Sequence, residues 1–152
     1  YIYGLGNDNW TFTNNSFLNG NYGLYFYGNF NGNGKNNVIM NNEFVDQYVR
    51  GAYVYYHDDL MFKNNHVVSN STYTSAYAIF MGRVKNGEIS GNFVEGSTSW
   101  PRYGMYLSQV EGDLSTFLPV YNNRVYMPST NASYGMYITS NLFVDYSHNF
   151  VY

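Results

Sequence analysis

The 152-residue chain has no cysteine, only three prolines, and charged side chains at just 11% of positions. Without cysteine, neither a disulfide framework nor a thiolate metal site is available, an absence compatible with any compartment. The charged fraction is less than half of the roughly 25% found in ordinary globular domains. A formal net charge of −3 leaves no basic patch, so nucleic acid is not an expected partner. No apolar run approaches the roughly 20 residues a bilayer span requires. Gly-x-Ser-x-Gly elements and phosphate loops are absent. Asp46, Asp58, Asp59, Glu111 and Asp113 are too dispersed for an oxygen-rich calcium site. His66 and His148 each flank an asparagine and form no metal-ligand pair, so neither metal nor cofactor is expected. No apolar period of 3.6 persists, which argues against helices.

What the chain does contain is repetition. Hydrophobic residues make up 45% of it and aromatics 21%, ample for the core of one domain. An apolar residue, two residues of any kind, asparagine, any residue and a second apolar residue recur as Phe12/Asn15/Phe17, Ile39/Asn42/Phe44, Phe62/Asn65/Val67, Ile89/Asn92/Val94, Val120/Asn123/Val125 and Tyr146/Asn149/Val151. By subtraction, successive asparagines lie 27, 23, 27, 31 and 26 positions apart. A fixed period between twenty and fifty residues marks a stacked repeat architecture. Out of phase with it, Tyr22-Gly23-Leu24-Tyr25-Phe26 returns at Arg50–Val54, Tyr77–Met81, Tyr103–Leu107 and Tyr134–Ile138, and Tyr1-Ile2-Tyr3 fits as the tail of another copy. β-Branched and aromatic residues punctuated by Gly, Asn and Ser read as strands and turns.

A period near 26 residues accommodates three short strands and three turns, and such coils stacked about 4.8 Å apart form three parallel sheets. A left-handed hexapeptide solenoid would place an apolar residue every six positions, which is not observed, and a propeller blade would need about forty residues. The expectation is an all-β, right-handed, single-stranded parallel β-helix of about six coils. Alternation points Leu24, Ala52, Ile79, Met105 and Met136, with Phe26, Val54, Met81, Leu107 and Ile138, inward. It points Tyr25, Tyr53, Phe80, Tyr106 and Tyr137 outward, together with the Gly or Ala of each motif. An amide both donates and accepts, so Asn15, Asn42, Asn65, Asn92, Asn123 and Asn149 are expected to form an internal ladder at a bend. The chain opens inside a repeat and closes just after the last asparagine motif without polar caps. Residues 1–152 therefore read as a single domain that is a fragment of a longer solenoid or of a processed parent.

The paired motifs Gly-aliphatic-Tyr-aliphatic and aliphatic-x-x-Asn-x-aliphatic, covering nearly the whole chain, resemble the right-handed parallel β-helix superfamily of pectate lyases, polygalacturonases, phage tailspikes and secreted surface proteins. That resemblance implies carbohydrate as the default ligand, although fold alone does not dictate function. Polygalacturonase-like enzymes cluster aspartates with a histidine and an Arg-x-Lys segment, which His57-Asp58-Asp59 and Arg83-Val84-Lys85 echo. The Gly-His-Gly and Asn-Thr-Asp segments of those enzymes are missing here. Weak catalytic candidates are accordingly Asp58, Asp59, His57 and Lys85. Register also aligns Asp58, Lys85 and Glu111 as a charge ladder contributing about 0–1 kcal/mol per exposed pair. The chemical alternative is an acid pair, Asp58 and Asp59, tuned by His57 and Lys85 for glycosidic hydrolysis, which needs two carboxyls about 5–9.5 Å apart.

The outward aromatic column is a candidate glycan platform, since large amphipathic rings stack on sugars. The same rings packing on one another would contribute about 0.2–1 kcal/mol per pair. Long bends at residues 69–75, 96–102 and 128–133 add Trp100 and Arg102 as candidate anchors. Asn9, Asn14, Asn70 and Asn131 head Asn-x-Ser/Thr sequons and are glycosylation candidates. Taken together, the expectation is a non-catalytic extracellular or cell-surface solenoid, an adhesin, surface-layer or fibre segment, whose partners are a polysaccharide or glycan and further coils of its parent. A polysaccharide hydrolase or lyase and a purely structural filament or viral fibre spacer are the alternatives.

Overall fold

The computed structural model describes residues 1–4, 7–31, 33–96, 103–128 and 133–152. Among them every regular element is a strand, and every strand pairing is parallel. Three faces wind into a solenoid. Face one stacks Ile2–Tyr3, Tyr22–Tyr27, the first half of Arg50–Lys63, the first half of Tyr77–Ser90, Tyr103–Ser108 and Tyr134–Thr139. Face two stacks Thr11–Thr13, Val38–Met40, the second halves of the two long strands, Leu118–Tyr121 and Val144–Ser147. Face three is a 6-stranded sheet of Ser16–Leu18, Glu43–Val45, His66–Ser69, Phe93–Gly96, Arg124–Tyr126 and Phe150–Val151. Arg50–Lys63 and Tyr77–Ser90, 14 residues each, run unbroken across one corner, so faces one and two merge into an 11-stranded sheet. Six levels bound five turns, one fewer than the asparagine count suggested, because six asparagines delimit five repeats.

The apolar side chains fill the interior. Phe26, Ile39, Phe44, Phe62, Met81, Ile89 and Leu107 are inaccessible to solvent. Each contributes about 1.5–3 kcal/mol relative to exposure. At the bend from face two to face three runs the asparagine ladder. The backbone N–H and side-chain Nδ2 of Asn42 both donate to Oδ1 of Asn65 at 3.0 Å. The same pair of bonds links Asn65 to Asn92, Asn92 to Asn123 and Asn123 to Asn149. From Asn42 onward each ladder Nδ2 also donates backwards to a carbonyl of the preceding turn, as Asn92 does to Phe62 at 3.0 Å. The residue before each ladder asparagine takes left-handed backbone: Asn14, Asn41, Asn64, Gly91, Asn122 and His148 have φ between 52° and 64°. Asparagine tolerates that region better than most side chains, which accounts for the Asn-Asn pairs in the sequence.

The motif glycines do not face outward as alternation suggested. A β-carbon at Gly51 would fall 2.7 Å from Val67 Cγ1, and one at Gly104 would fall 2.4 Å from Val125 Cγ1. Both neighbours belong to the core, as does Ala78 at the equivalent place. The strand therefore turns two consecutive residues inward, Gly23 and Leu24 in the first copy. Glycine lets face one approach face three at that corner.

Candidate functional site

Strand pairing sets Lys35, Asp58, Lys85 and Glu111 side by side on four successive levels at the bend between faces one and two. Lys35 extends the alternating-sign column that Asp58, Lys85 and Glu111 formed in the sequence. Two places before each of the last three lies a residue with left-handed backbone: Tyr56 at φ 60°, Arg83 at 51° and Gln109 at 55°. For an L-residue with a β-carbon that region costs about 1–2 kcal/mol. One bend further on, the equivalent strain is carried by Asn9, Asn36, Asp59 and Asn86, residues suited to it. The chain thus places tyrosine, arginine and glutamine where asparagine or glycine would be less costly, and strained backbone of this kind concentrates at functional sites.

These side chains, with Phe30, Asn31 and Asn33, line a cleft of about 460 Å³. The Arg83 guanidinium lies 5.3 Å from the Tyr56 ring centroid and 5.7 Å from that of Phe30. Its Nε donates to Gln109 Oε1 at 2.9 Å. Lys85 Nζ stands 3.6 Å from Glu111 Oε2, and Asn33 Nδ2 donates to Asp58 Oδ1 at 2.6 Å. Three cations, Lys35, Arg83 and Lys85, thus face two carboxylates beside an aromatic wall. Such a surface can hydrogen-bond a polar chain along the solenoid axis.

The other catalytic candidates do not converge here. His57 is fully buried. It packs against Phe26 at 4.3 Å, with Nδ1 3.1 Å from Asn37 Nδ2 and Nε2 3.3 Å from the Phe26 carbonyl oxygen. Burial drives its pKa down to about 4, against a weaker upward pull from the Phe26 carbonyl and Asp58. Asp59 turns into a separate hollow beside Asn86, Asp113 and Thr116. Asp58 and Asp59 therefore do not form a facing pair, because neighbours on a turned strand diverge. A second ionic cluster, on face two, joins Lys63 to Glu88 at 2.8 Å, with Ser90 and Tyr121 donating to the same carboxylate at 2.6 Å. Burial raises the pKa of Glu88, but those three partners outweigh it and hold the carboxyl below its ordinary range.

The aromatic column faces outward and is half-buried. Its rings lie on one another: Tyr1 on Tyr25 at 4.2 Å, Tyr25 on Tyr53 at 4.7 Å, Tyr53 on Phe80 at 4.9 Å, Phe80 on Tyr106 at 5.1 Å and Tyr106 on Tyr137 at 5.0 Å. Interplanar angles stay between 8° and 26°. Inside the column the ring faces are covered by neighbouring rings, which leaves edges and hydroxyls for solvent and no flat platform for a sugar. Burial raises the Tyr53 phenol to about 12 and that of Tyr25 further. Arg50 replaces a tyrosine in the adjacent column and sits among Tyr22, Tyr53, Tyr77 and Phe80.

Among the sequons, Asn9 and Asn14 are exposed on left-handed turns, and Asn70 is exposed with its amide donating to Asp46 at 2.6 Å. Trp100, Arg102 and Asn131 lie outside the described residues. Phe30, Asn33, Lys35, Tyr56 and Gln109 were not singled out in the sequence. The signal for the last was available: positions 28, 56, 83, 109 and 140 all lie five places after the Gly or Ala of the face-one motif, and four of the five hold non-glycine residues with positive φ.

Among the described residues, no group of three or more His, Asp or Glu side chains could hold a metal ion, and no helix is long and apolar enough to cross a membrane. Neither a curated protein nor a solved structure matches the chain. The family described as right handed beta helix region matches residues 1–152 in full. With that match joined to the parallel three-faced winding and the asparagine ladder, the chain belongs to the right-handed β-helix family.

Proposed function

We propose that this protein is a non-catalytic extracellular solenoid, a surface, adhesin or fibre segment, that binds a glycan in the cleft between faces one and two. The observation that carries the reading is the strained trio Tyr56, Arg83 and Gln109, which lines the same cleft as the Lys35, Asp58, Lys85 and Glu111 column. A saccharide chain laid along the axis would meet a polar side chain at each turn, about every 4.8 Å, with Tyr56 and Phe30 against its apolar ring faces. Lys85 already engages Glu111, and Asn33 engages Asp58, which favours binding over proton transfer.

One observation favours a second reading, hydrolysis. Asp58 and Glu111 are two levels apart, so their strands lie about 9.6 Å apart at a spacing of about 4.8 Å, at the upper edge of the about 6.5–9.5 Å used by inverting glycosidases. The experiment that separates the readings incubates the protein with acidic and neutral polysaccharides and assays retention and new chain ends together. Retention without new ends, weakened about tenfold or more (about 1.4 kcal/mol) by Arg83→Ala or Tyr56→Ala, supports the binding cleft. New ends lost in Asp58→Asn or Glu111→Gln would replace it with the hydrolase. Neither signal would leave a structural spacer.

A further inference from the structure

Face one carries a grid of phenols. Tyr25 and Tyr27 lie on one strand and Tyr53 and Tyr55 on the next, in register. Across the levels the rings meet face to face, Tyr25 on Tyr53 at 4.7 Å and Tyr27 on Tyr55 at 5.3 Å. Along each strand the geometry differs. The Tyr25 and Tyr27 centroids are 6.1 Å apart with planes 8° from parallel, and those of Tyr53 and Tyr55 are 5.9 Å apart at 6°. Because the stacking neighbours already lie along the ring normals, the separation along the strand runs within the ring plane. Each pair therefore sits side by side with near-parallel planes, so that ring edges rather than ring faces adjoin. All four rings are half-buried on an outward face, within reach of solvent. Gly82 continues the Tyr27–Tyr55 column, and a β-carbon there would fall 2.1 Å from a Tyr55 ring carbon. The absent side chain leaves the Tyr55 ring its place. With no cysteine in the chain, no thiol can intercept a phenoxyl radical.

We infer that Tyr25–Tyr27 and Tyr53–Tyr55 are sites of oxidative cross-linking, each pair coupling into a dityrosine when a haem peroxidase and hydrogen peroxide supply the oxidising equivalents. Each phenol gives up one electron and one proton. The two radicals join through a carbon–carbon bond between the ring positions next to the hydroxyls. The two hydrogens displaced from those carbons move to the oxygens, restoring both phenols. Two electrons and two protons leave in total, and hydrogen peroxide is reduced to two waters. Stacked pairs such as Tyr25–Tyr53 present ring faces rather than edges, so bonding is directed along the strand and not between turns.

The test treats the dilute full chain with a haem peroxidase and hydrogen peroxide, then maps tryptic peptides by mass. Expected is the 51–63 peptide lighter by two hydrogen atoms, its fragment series interrupted between Tyr53 and Tyr55, and dityrosine fluorescence in the monomer. Tyr55→Phe keeps the ring and should abolish that species while leaving coupling in the 1–35 peptide. Tyr56→Phe, which alters the perpendicular neighbour of Tyr55 at 4.5 Å, should leave both couplings. Cross-links that join the 1–35 peptide to 51–63, that form only between molecules, or that appear in equal yield in denaturant-unfolded chain would overturn the inference.

Discussion

Replacing His57 by leucine should remove most of the acid sensitivity of this fold between pH 7 and pH 4. The imidazole is fully buried against Phe26. Its two contacts fit a neutral ring, with Nε2–H donating to the Phe26 carbonyl and Nδ1 accepting from the Asn37 amide. Protonation would direct an Nδ1–H at the Asn37 Nδ2, an amide nitrogen that can only donate. Burial is the main reason the folded pKa falls to about 4 from its ordinary 6.5. The unfolded chain binds this proton as pH drops below about 6.5, and the folded chain does so only near pH 4. The stability tied to the neutral ring is thus intact above pH 6.5 and lost as pH falls through 4, at up to about 1.4 kcal/mol per unit and roughly 3 kcal/mol in total. Urea unfolding at pH 7, 5.5 and 4 measures it. Leucine costs some stability at every pH by leaving Asn37 with one partner fewer, but the wild-type decline beyond that of the variant should be about 3 kcal/mol. Equal declines in the two proteins, or the His57 imidazole resonance, the one missing from the leucine variant, titrating near pH 6.5, would refute the reasoning.

Other consequences are as direct. Asn92→Ala removes an oxygen that accepts two bonds from Asn65, and should cost several kcal/mol at about 1–3 per stranded buried group. Asn15→Ala at the exposed first level should cost under about 1 kcal/mol in the same denaturant titration. Gln109→Gly relieves left-handed strain of about 1–2 kcal/mol against about 0.5–1 of added chain entropy. Its melting midpoint should hold or rise while retention on polysaccharide falls. Tyr53→Ala should lower stability by about 1–2 kcal/mol through its two stacking partners without changing retention, since it lies outside the cleft. A selective loss of retention would return the aromatic column to the binding surface.

The fold was legible because identical needs recur on every level. Asn15 through Asn149 satisfy the same turn six times over, and that repetition survives in the sequence as a period. The glycines misled because alternation assumes an unbroken pleat, whereas the corner at Gly23 and Leu24 turns two residues inward. The cleft was only partly legible. Asp58, Lys85 and Glu111 each lie seven places after the Gly or Ala of their motif and so align in the sequence, whereas Lys35 lies twelve places after Gly23. The aromatic column could be placed outward by pattern, but pattern does not set the ring orientation that covers each face with its neighbour. His57 was misjudged because a histidine beside two aspartates looks chemical, although strand alternation sends it to the side opposite Asp58.

The asparagine ladder also has a direction. Each rung donates its backbone N–H and its amide to an oxygen on the following turn, never to the preceding rung. A chain emerging from its amino end therefore completes each coil with two hydrogens that no finished part of the molecule can receive, and only the next coil supplies the oxygen. The growing edge is always short of acceptors, so every turn recruits its successor in register, and the amide dipoles of the column align head to tail as the winding advances.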